Sequence, residues 1–283
     1  MRTRPCLRYL FQTSVAGFLL LALANAAFPG EPRRLTFHRG SGDKAFYDFA
    51  VSGRGIQEDR PVEFTLKMRC EVVFGKQSHS SQEVQASIVA GTVEAKSGGE
   101  QVSRKLSPYS LIYQIAANGQ TLSSRVAAGK PPEIPFAQMT FSPEDAAFLL
   151  HLSAGPVKKG DTWNCDSGPA SPQQRGKTTF TVLGEETFKG RPCLKIGSAS
   201  RLKVDETAPA GSQIQAHLQG QVISGQTYLF DYGRGLVLFA EGSDKFSLTS
   251  SVEDPETGQS TVKRFLFAMN KRSTLTQLRP RGG

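Results

Sequence analysis

Reactive side chains are scattered through this chain. Their densest gathering is GPVKKGDTWNCD, Gly155 to Asp166, which holds a lysine pair, two aspartates, a cysteine and the only tryptophan. Acid–base or nucleophilic work by such a cluster needs partners, and few are in reach. A metal site calls for several His, Cys, Asp or Glu at ligand spacing, yet His38, His79, His151 and His217 stand singly and no H-x-x-x-H or C-x-x-C occurs. Serines are plentiful, but none sits in a G-x-S-x-G elbow. The best acid–base set is Glu144 or Asp145 with His151, and capping of a helix start explains both carboxylates as well. No glycine-rich phosphate loop precedes a helix. The expectation is therefore no enzyme, no metal and no cofactor, while a triad assembled from distant residues stays open because triads are defined by geometry rather than order.

The elements that must position these residues are strands. In PVEFTLKMRCEVVF, Val62, Phe64, Leu66, Met68, Cys70, Val72 and Phe74 fall on one face and Glu63, Thr65, Lys67, Arg69 and Glu71 on the other. Alternation of this kind belongs to antiparallel sheets covered on one side. Further strands are predicted over 45–53, 83–95, 110–116, 178–186, 193–204, 216–231, 235–252 and 260–269. Asn118-Gly119, Lys189-Gly190 and the polar run 253–258 supply the reversals.

One segment breaks the period. FSPEDAAFLLHLSAG offers Ser142 as N-cap, Pro143 at the first helical position and Glu144 and Asp145 in the first turn, which predicts a helix over about 142–152. GKPPEIPF (129–136) is too proline-rich for a central strand and reads as a crossover. The expected fold is mainly antiparallel β, a curved sheet or half-barrel with one short covering helix. A single large domain over 27–283 would have two halves, 40–130 and 140–278.

The N-terminus carries Arg2, Arg4 and Arg8, an apolar run from Val15 to Leu23, and Ala24-Asn25-Ala26. This is the layout of a secretory signal peptide, with cleavage expected after Ala26, and the run is too short to span a bilayer. The chain has 34 basic and 25 acidic residues; losing the three leader arginines leaves 31 against 25, a net of +6. The cations are dispersed without an aromatic-interleaved stripe, so nucleic acid is not an expected partner. No second stretch is apolar enough to cross a membrane, so the mature chain is expected to be periplasmic or secreted.

Three pieces of the second half carry a family likeness: GPVKKGDTW (155–163), the hairpin TFTVLGEETFKGRPCLKI (179–196) and GQTYLFDYGRGLVL (225–238). Together they resemble a family of exported bacterial β proteins of unknown function, in which a short helix leads into a P-V-K-x-G-D-x-W turn. That family is in turn similar in architecture to the half-barrels of the Lol-type lipoprotein carriers, which hold acyl chains under small helices. The likeness covers about residues 140–270 by motif and 40–130 by strand pattern alone. It implies an apolar concavity. The residues themselves give the motif a plain structural reading: Gly160-Asp161 as a tight turn, and Trp163 as a core plug.

Cys70, Cys165 and Cys193 remain after cleavage, in an oxidising compartment. A Cys165–Cys193 disulfide is expected, with Cys70 buried on its strand. Strand parity puts Cys165 inward and Cys193 outward, so the bridge requires irregular geometry near Pro192.

Two functions follow. In one, an open apolar face, lined by Phe64, Leu66, Phe148, Leu149 and Trp163, binds an apolar or lipid-like ligand or an envelope partner. In the other, the sheet is filled and the protein is a ligand-free structural module. A hydrolase with a dispersed site is the third reading.

Overall fold

The computed structural model describes residues 31–281 apart from positions 38, 58, 79, 138, 142, 144–149, 167–173, 208–214 and 254–258. Pro32–Gly283 is the compact unit described. The leader expected over 1–26 lies outside the described residues.

Fourteen strands follow in order: β1 (Lys44–Gln57), β2 (Arg60–Gln77), β3 (Ser81–Ser97), β4 (Glu100–Lys105), β5 (Tyr109–Ala116), β6 (Thr121–Ala128), β7 (Glu133–Ile134), β8 (Met139–Thr140), β9 (Thr162–Asp166), β10 (Gln174–Phe188), β11 (Arg191–Thr207), β12 (Gln215–Asp231), β13 (Leu236–Glu253) and β14 (Ser260–Arg279). Twelve of them form one open, curved antiparallel sheet in the order β6-β5-β3-β2-β1-β14-β13-β12-β11-β10-β9, with β4 also paired to β3. β7 and β8 make a small separate hairpin.

Hairpin connections account for most of this order. Lys189 and Gly190 both have positive φ, 48° and 75°, as the tight turn between β10 and β11 demands. The pairing that joins the two halves is not local. β14 lies against β1 through a register running from Lys44↔Arg279 to Gln57↔Phe265, so the last strand closes onto the first.

The alternation read from sequence is borne out residue by residue. In β2, Val62, Phe64, Leu66, Met68, Cys70, Val72 and Phe74 are all buried while Glu63, Thr65, Lys67 and Arg69 are exposed. β1 contributes Tyr47, Phe49 and Val51 to the same face, opposite Cys70, Met68 and Leu66.

The chain itself covers this inner face. β6 and β9 are opposite edges of the sheet, so residues 129–161 must travel from one edge to the other. They bury Ile134, Ala137, Phe141, Leu150, Leu152 and Val157 on the way. The Phe141 ring stands 6.4 Å from that of Phe49 and 6.5 Å from that of Phe64. Leu35 and Phe37, ahead of β1, complete the cover, with Phe37 6.5 Å from Phe74.

The expected helix over 142–152 falls mostly outside the described residues: Pro143 is described, whereas 142 and 144–149 are not. Leu150, His151 and Leu152 are described and are not helical, which corrects the C-terminal end of that expectation. The Leu152 N–H donates instead to the carbonyl of Asn118, 2.6 Å away in the β5–β6 turn. A non-local backbone bond there outweighs the local helical pattern.

Candidate functional site

The residues of the densest sequence cluster build a turn. The backbone N–H of Lys158 donates to Asp161 Oδ2 at 2.9 Å, and Gly160 N–H donates to the Val182 carbonyl at 2.8 Å. Val182 N–H returns a bond to the Asp161 carbonyl at 2.9 Å, which anchors the turn to β10. Trp163 then enters β9 half-buried, stacked on Phe180 with centroids 5.4 Å apart and planes 13° apart. Its indole N–H donates to the His151 carbonyl at 2.9 Å, and the His151 ring also stacks on Phe180, with centroids 6.5 Å apart. Burial lowers the His151 pKa, so the neutral imidazole is favoured. Asp231 plays the same structural part in the β12–β13 turn, accepting from Arg234 N–H at 3.0 Å.

A different group of residues is brought together by the inner face of β9 to β14. Cross-strand register places Ser198, Gln226, Gly242, Lys271 and Val51 in one row. Thr178, Ser200, Ser224, Asp244 and Met269 form the next. These two rows make a polar belt across an otherwise apolar face. On one side of the belt lie Val182, Ile196, Tyr228, Ala240, Ser273 and Phe49. On the other lie Leu202, Val222, Phe246 and Phe267, then Val204, Leu248 and Phe265.

The belt is centred on an ion pair. Lys271 Nζ stands 2.6 Å from Asp244 Oδ2, and the two side chains are only 12% and 6% exposed. Two buried charges of opposite sign hold one another in place, and removing either alone leaves the other uncompensated at a cost of about 3–5 kcal/mol. Asp244 Oδ1 and Ser273 Oγ are buried without a hydrogen-bond partner among the described residues. Gly242 makes room for the arrangement, because a Cβ there would run into the Gly225 carbonyl and the Gln226 side chain. The Tyr228 hydroxyl donates to Gln226 Oε1. Its pKa is pushed up to about 12, first by burial and then by the charges of Asp244 and Cys165, against a hydrogen bond from Ser198 that lowers it.

The expected lining residues are only partly gathered. Phe64 and Leu66 are buried in the centre of β2, Phe64 directly under Phe141, so the cover occupies the place a ligand would take. Trp163 packs against the same core from the far edge strand, with β1 and five more strands between it and β2 in the sheet order. Phe148 and Leu149 lie outside the described residues, as do Glu144 and Asp145 of the acid–base set and two of the four histidines, His38 and His79. His217 pairs with Asp205 at 2.6 Å on an exposed stretch. Among the described residues no group of three or more His, Cys, Asp or Glu could hold a metal ion.

The expected Cys165–Cys193 bridge is corrected: Cys165 and Cys193 are free thiols. Cys165 stands opposite Thr178, and Thr178 opposite Ser200, seven residues along β11 from Cys193. At about 3.3 Å per residue that is about 23 Å, far beyond the reach of a disulfide. Burial raises both thiol pKa values, that of Cys193 to about 11, with Asp166 and Asp231 respectively adding to the shift.

No family model matches the chain, and no curated protein is similar to it. Among solved structures it is similar to a DUF1329 family protein from Desulfovibrio piger at 12% identity, covering 86% of this chain and 87% of that one, with a TM-score of 0.23. OccK7 (OpdD) of Pseudomonas aeruginosa matches at 7% identity over 86% and 100% of the two chains, TM-score 0.27. OprB of Pseudomonas putida matches at 8% identity over 83% and 92%, TM-score 0.19. Likeness this weak carries no functional argument, and the resemblance drawn from the P-V-K-x-G-D-x-W turn gains no support from it. Among the described residues no helix is long and apolar enough to cross a membrane.

Proposed function

We propose that the protein is an exported, non-enzymatic β protein that takes an apolar or lipid-like ligand on the far end of its inner face. The supporting observation is a difference between two parts of one face. Over β1 to β5 the apolar side chains are sealed by Phe141, Leu152, Phe37 and their neighbours. Beyond the polar belt the same face continues into Leu202, Val222, Phe246, Leu248 and Phe265, which remain half-exposed on β11 to β14. Contiguous apolar surface of this kind, bordered by a few fixed polar groups, is the usual form of a site for a hydrophobic ligand. Export rests on the leader-like N-terminus.

Binding of a fluorescent fatty-acid probe tests the reading. Phe246→Asp and Leu248→Asp should each weaken probe binding by about tenfold or more, since a carboxylate on the contact surface must lose its hydration. A wild type that binds no probe, or variants that bind as well as the wild type, would refute it.

The sealed half supports a second reading for its own region. Phe64 and Leu66 belong to a filled core there, and the cover acts as structure rather than as a removable lid.

A further inference from the structure

The opposite, solvent-facing side of the sheet carries a cavity lined mostly by outward-facing residues, together with Phe49 and Met68. It measures about 830 Å³, and its lining includes Lys67, Arg69, Lys105 and Arg272, with Asp48 as the one carboxylate. Its shape has two local causes. The β2–β3 register shifts between Arg69 and Cys70, where Arg69 faces Ala90 and Cys70 faces Ile88, so Val89 is an extra residue bulged from the ladder and stays exposed. Next to this bulge β3 changes partner, from β4, which ends at the Thr92↔Lys105 pair, to β5, which begins at Ile88↔Tyr109. Leu106, in the gap, leans over Gly91, so that a Cβ on Gly91 would meet Leu106 Cδ1 at 2.7 Å.

The cations are ordered by the ladder. Lys105 pairs with Thr92, Thr92 with Lys67, Lys67 with Ala50 and Ala50 with Arg272, so cations occupy every second strand of one row. With strands about 4.8 Å apart they stand about 10 Å from one another. Arg69 sits two residues along from Lys67 on the same face. None of the four forms an ion pair among the described residues. The two arginines are instead braced on aromatic rings, Arg69 over Phe46 at 5.3 Å and Arg272 over Phe239 at 5.1 Å. Guanidinium groups stacked in this way lose little freedom on binding an anion. Beside the cations the lining includes the small or apolar Ala50, Ala90, Val89 and Leu106, with Thr92 and Thr274 as neutral polar members.

We infer that this cavity binds the oxyanion group of an anionic amphiphile, with the phosphate-type or sulfate-type oxygens held among Lys67, Arg69 and Arg272 and the apolar portion against Val89 and Leu106. Two carboxylates stand across the ladder from this group, Asp48 opposite Arg69 and Glu241 opposite Arg272, and neither is in ion-pair contact with it among the described residues. Four cations against two carboxylates leave a net positive site that attracts anions, while the apolar groups beside them favour a ligand that is not wholly charged.

Co-sedimentation with vesicles tests this, comparing phosphatidylcholine alone with phosphatidylcholine containing phosphatidylglycerol. The wild type should bind the anionic vesicles and not the zwitterionic ones. K67E/R69E should weaken that binding by at least about tenfold, given the contribution of each cation near an anionic surface. K158E/K159E makes the same change of charge in the exposed turn before β9 and should bind as the wild type does. Equal losses in both double variants would reduce the effect to net charge and overturn the site, as would a wild type indifferent to phosphatidylglycerol. A competition arm with inorganic phosphate at constant ionic strength separates the sources. Partial displacement fits the shared oxyanion chemistry, whereas phosphate binding without any vesicle binding overturns the amphiphile.

Discussion

Truncation of Phe141 to alanine separates a structural cover from a removable lid. Phe141 is 3% exposed and lies within 6.5 Å, centroid to centroid, of both Phe49 and Phe64. A buried phenylalanine removes about 150–250 Å² from water, worth about 4–6 kcal/mol at about 25 cal/mol per Å². The alanine methyl recovers part of this, and the cavity it leaves brings the expected loss to about 3–5 kcal/mol. With a urea m-value of about 3 kcal/mol per molar, the unfolding midpoint should fall by about 1–1.7 M. Urea titration followed by far-ultraviolet circular dichroism and by the emission of Trp163 reads the shift. Leu122→Ala provides the comparison, since Leu122 is 52% exposed on edge strand β6 and its loss should cost no more than about 0.5 kcal/mol. If Phe141→Ala unfolds at the wild-type midpoint, the crossover does not contribute to the core, and the argument that the β1–β5 half is filled collapses.

His151 predicts a pH dependence. Burial holds its pKa below the ordinary 6.5, so the unfolded chain takes up the proton first, and folded stability should fall as pH drops through that value. His151→Phe, which keeps a ring against Phe180, should flatten this slope, and equal slopes for wild type and variant between about pH 7.5 and 5 would remove His151 as its source. The cysteines give a covalent check: Cys70 and Cys193 are wholly buried and Cys165 half-buried, and Cys165 and Cys193 are not bonded to one another. Alkylation without reductant should label Cys165 slowly in the native protein and Cys70 and Cys193 only after denaturation, and a native mass lower by two hydrogens would restore the disulfide.

Strands and sidedness were legible because they are written at a spacing of two residues. In Phe64-Thr65-Leu66-Lys67-Met68-Arg69 every second side chain needs burial, and a strand is the conformation that grants it. The proline-rich crossover was legible for a similar reason, since prolines at 131, 132 and 135 exclude a central strand. Pairing of β1 with β14 was not, because it joins residues more than two hundred positions apart, and the stretch 270–279 holds no clean alternation to mark it as strand. The helix expectation at Leu150 to Leu152 failed where a tertiary bond to Asn118 overrode a local pattern. The disulfide failed because the register sets Cys165 level with Ser200, seven residues along β11 from Cys193, a separation that no pattern within either strand discloses.

The polar belt and the outer row of cations lay deeper, because each is assembled by register across strands rather than along one. A signal nonetheless exists within single strands. In β13 the inward positions run Ala240, Gly242, Asp244, Phe246 and in β14 they run Phe267, Met269, Lys271, Ser273, so each strand places one charge on its apolar parity. A charge there cannot be left alone, since an isolated ion in a buried face costs far more than a strand can recover. Two such breaks of opposite sign therefore imply one another, and they predict that β13 and β14 are neighbours in a register that brings Asp244 and Lys271 within reach. The observed ladder pairs Asp244 with Met269 and Gly242 with Lys271, one step along the strand, which a lysine side chain spans. Parity breaks are thus the part of a β-sheet site that a sequence does disclose. Rows of serine, threonine and glutamine such as Ser198, Ser200, Ser224 and Gln226 carry no comparable constraint, because their side chains are tolerated on either face and only the fold decides which one they line.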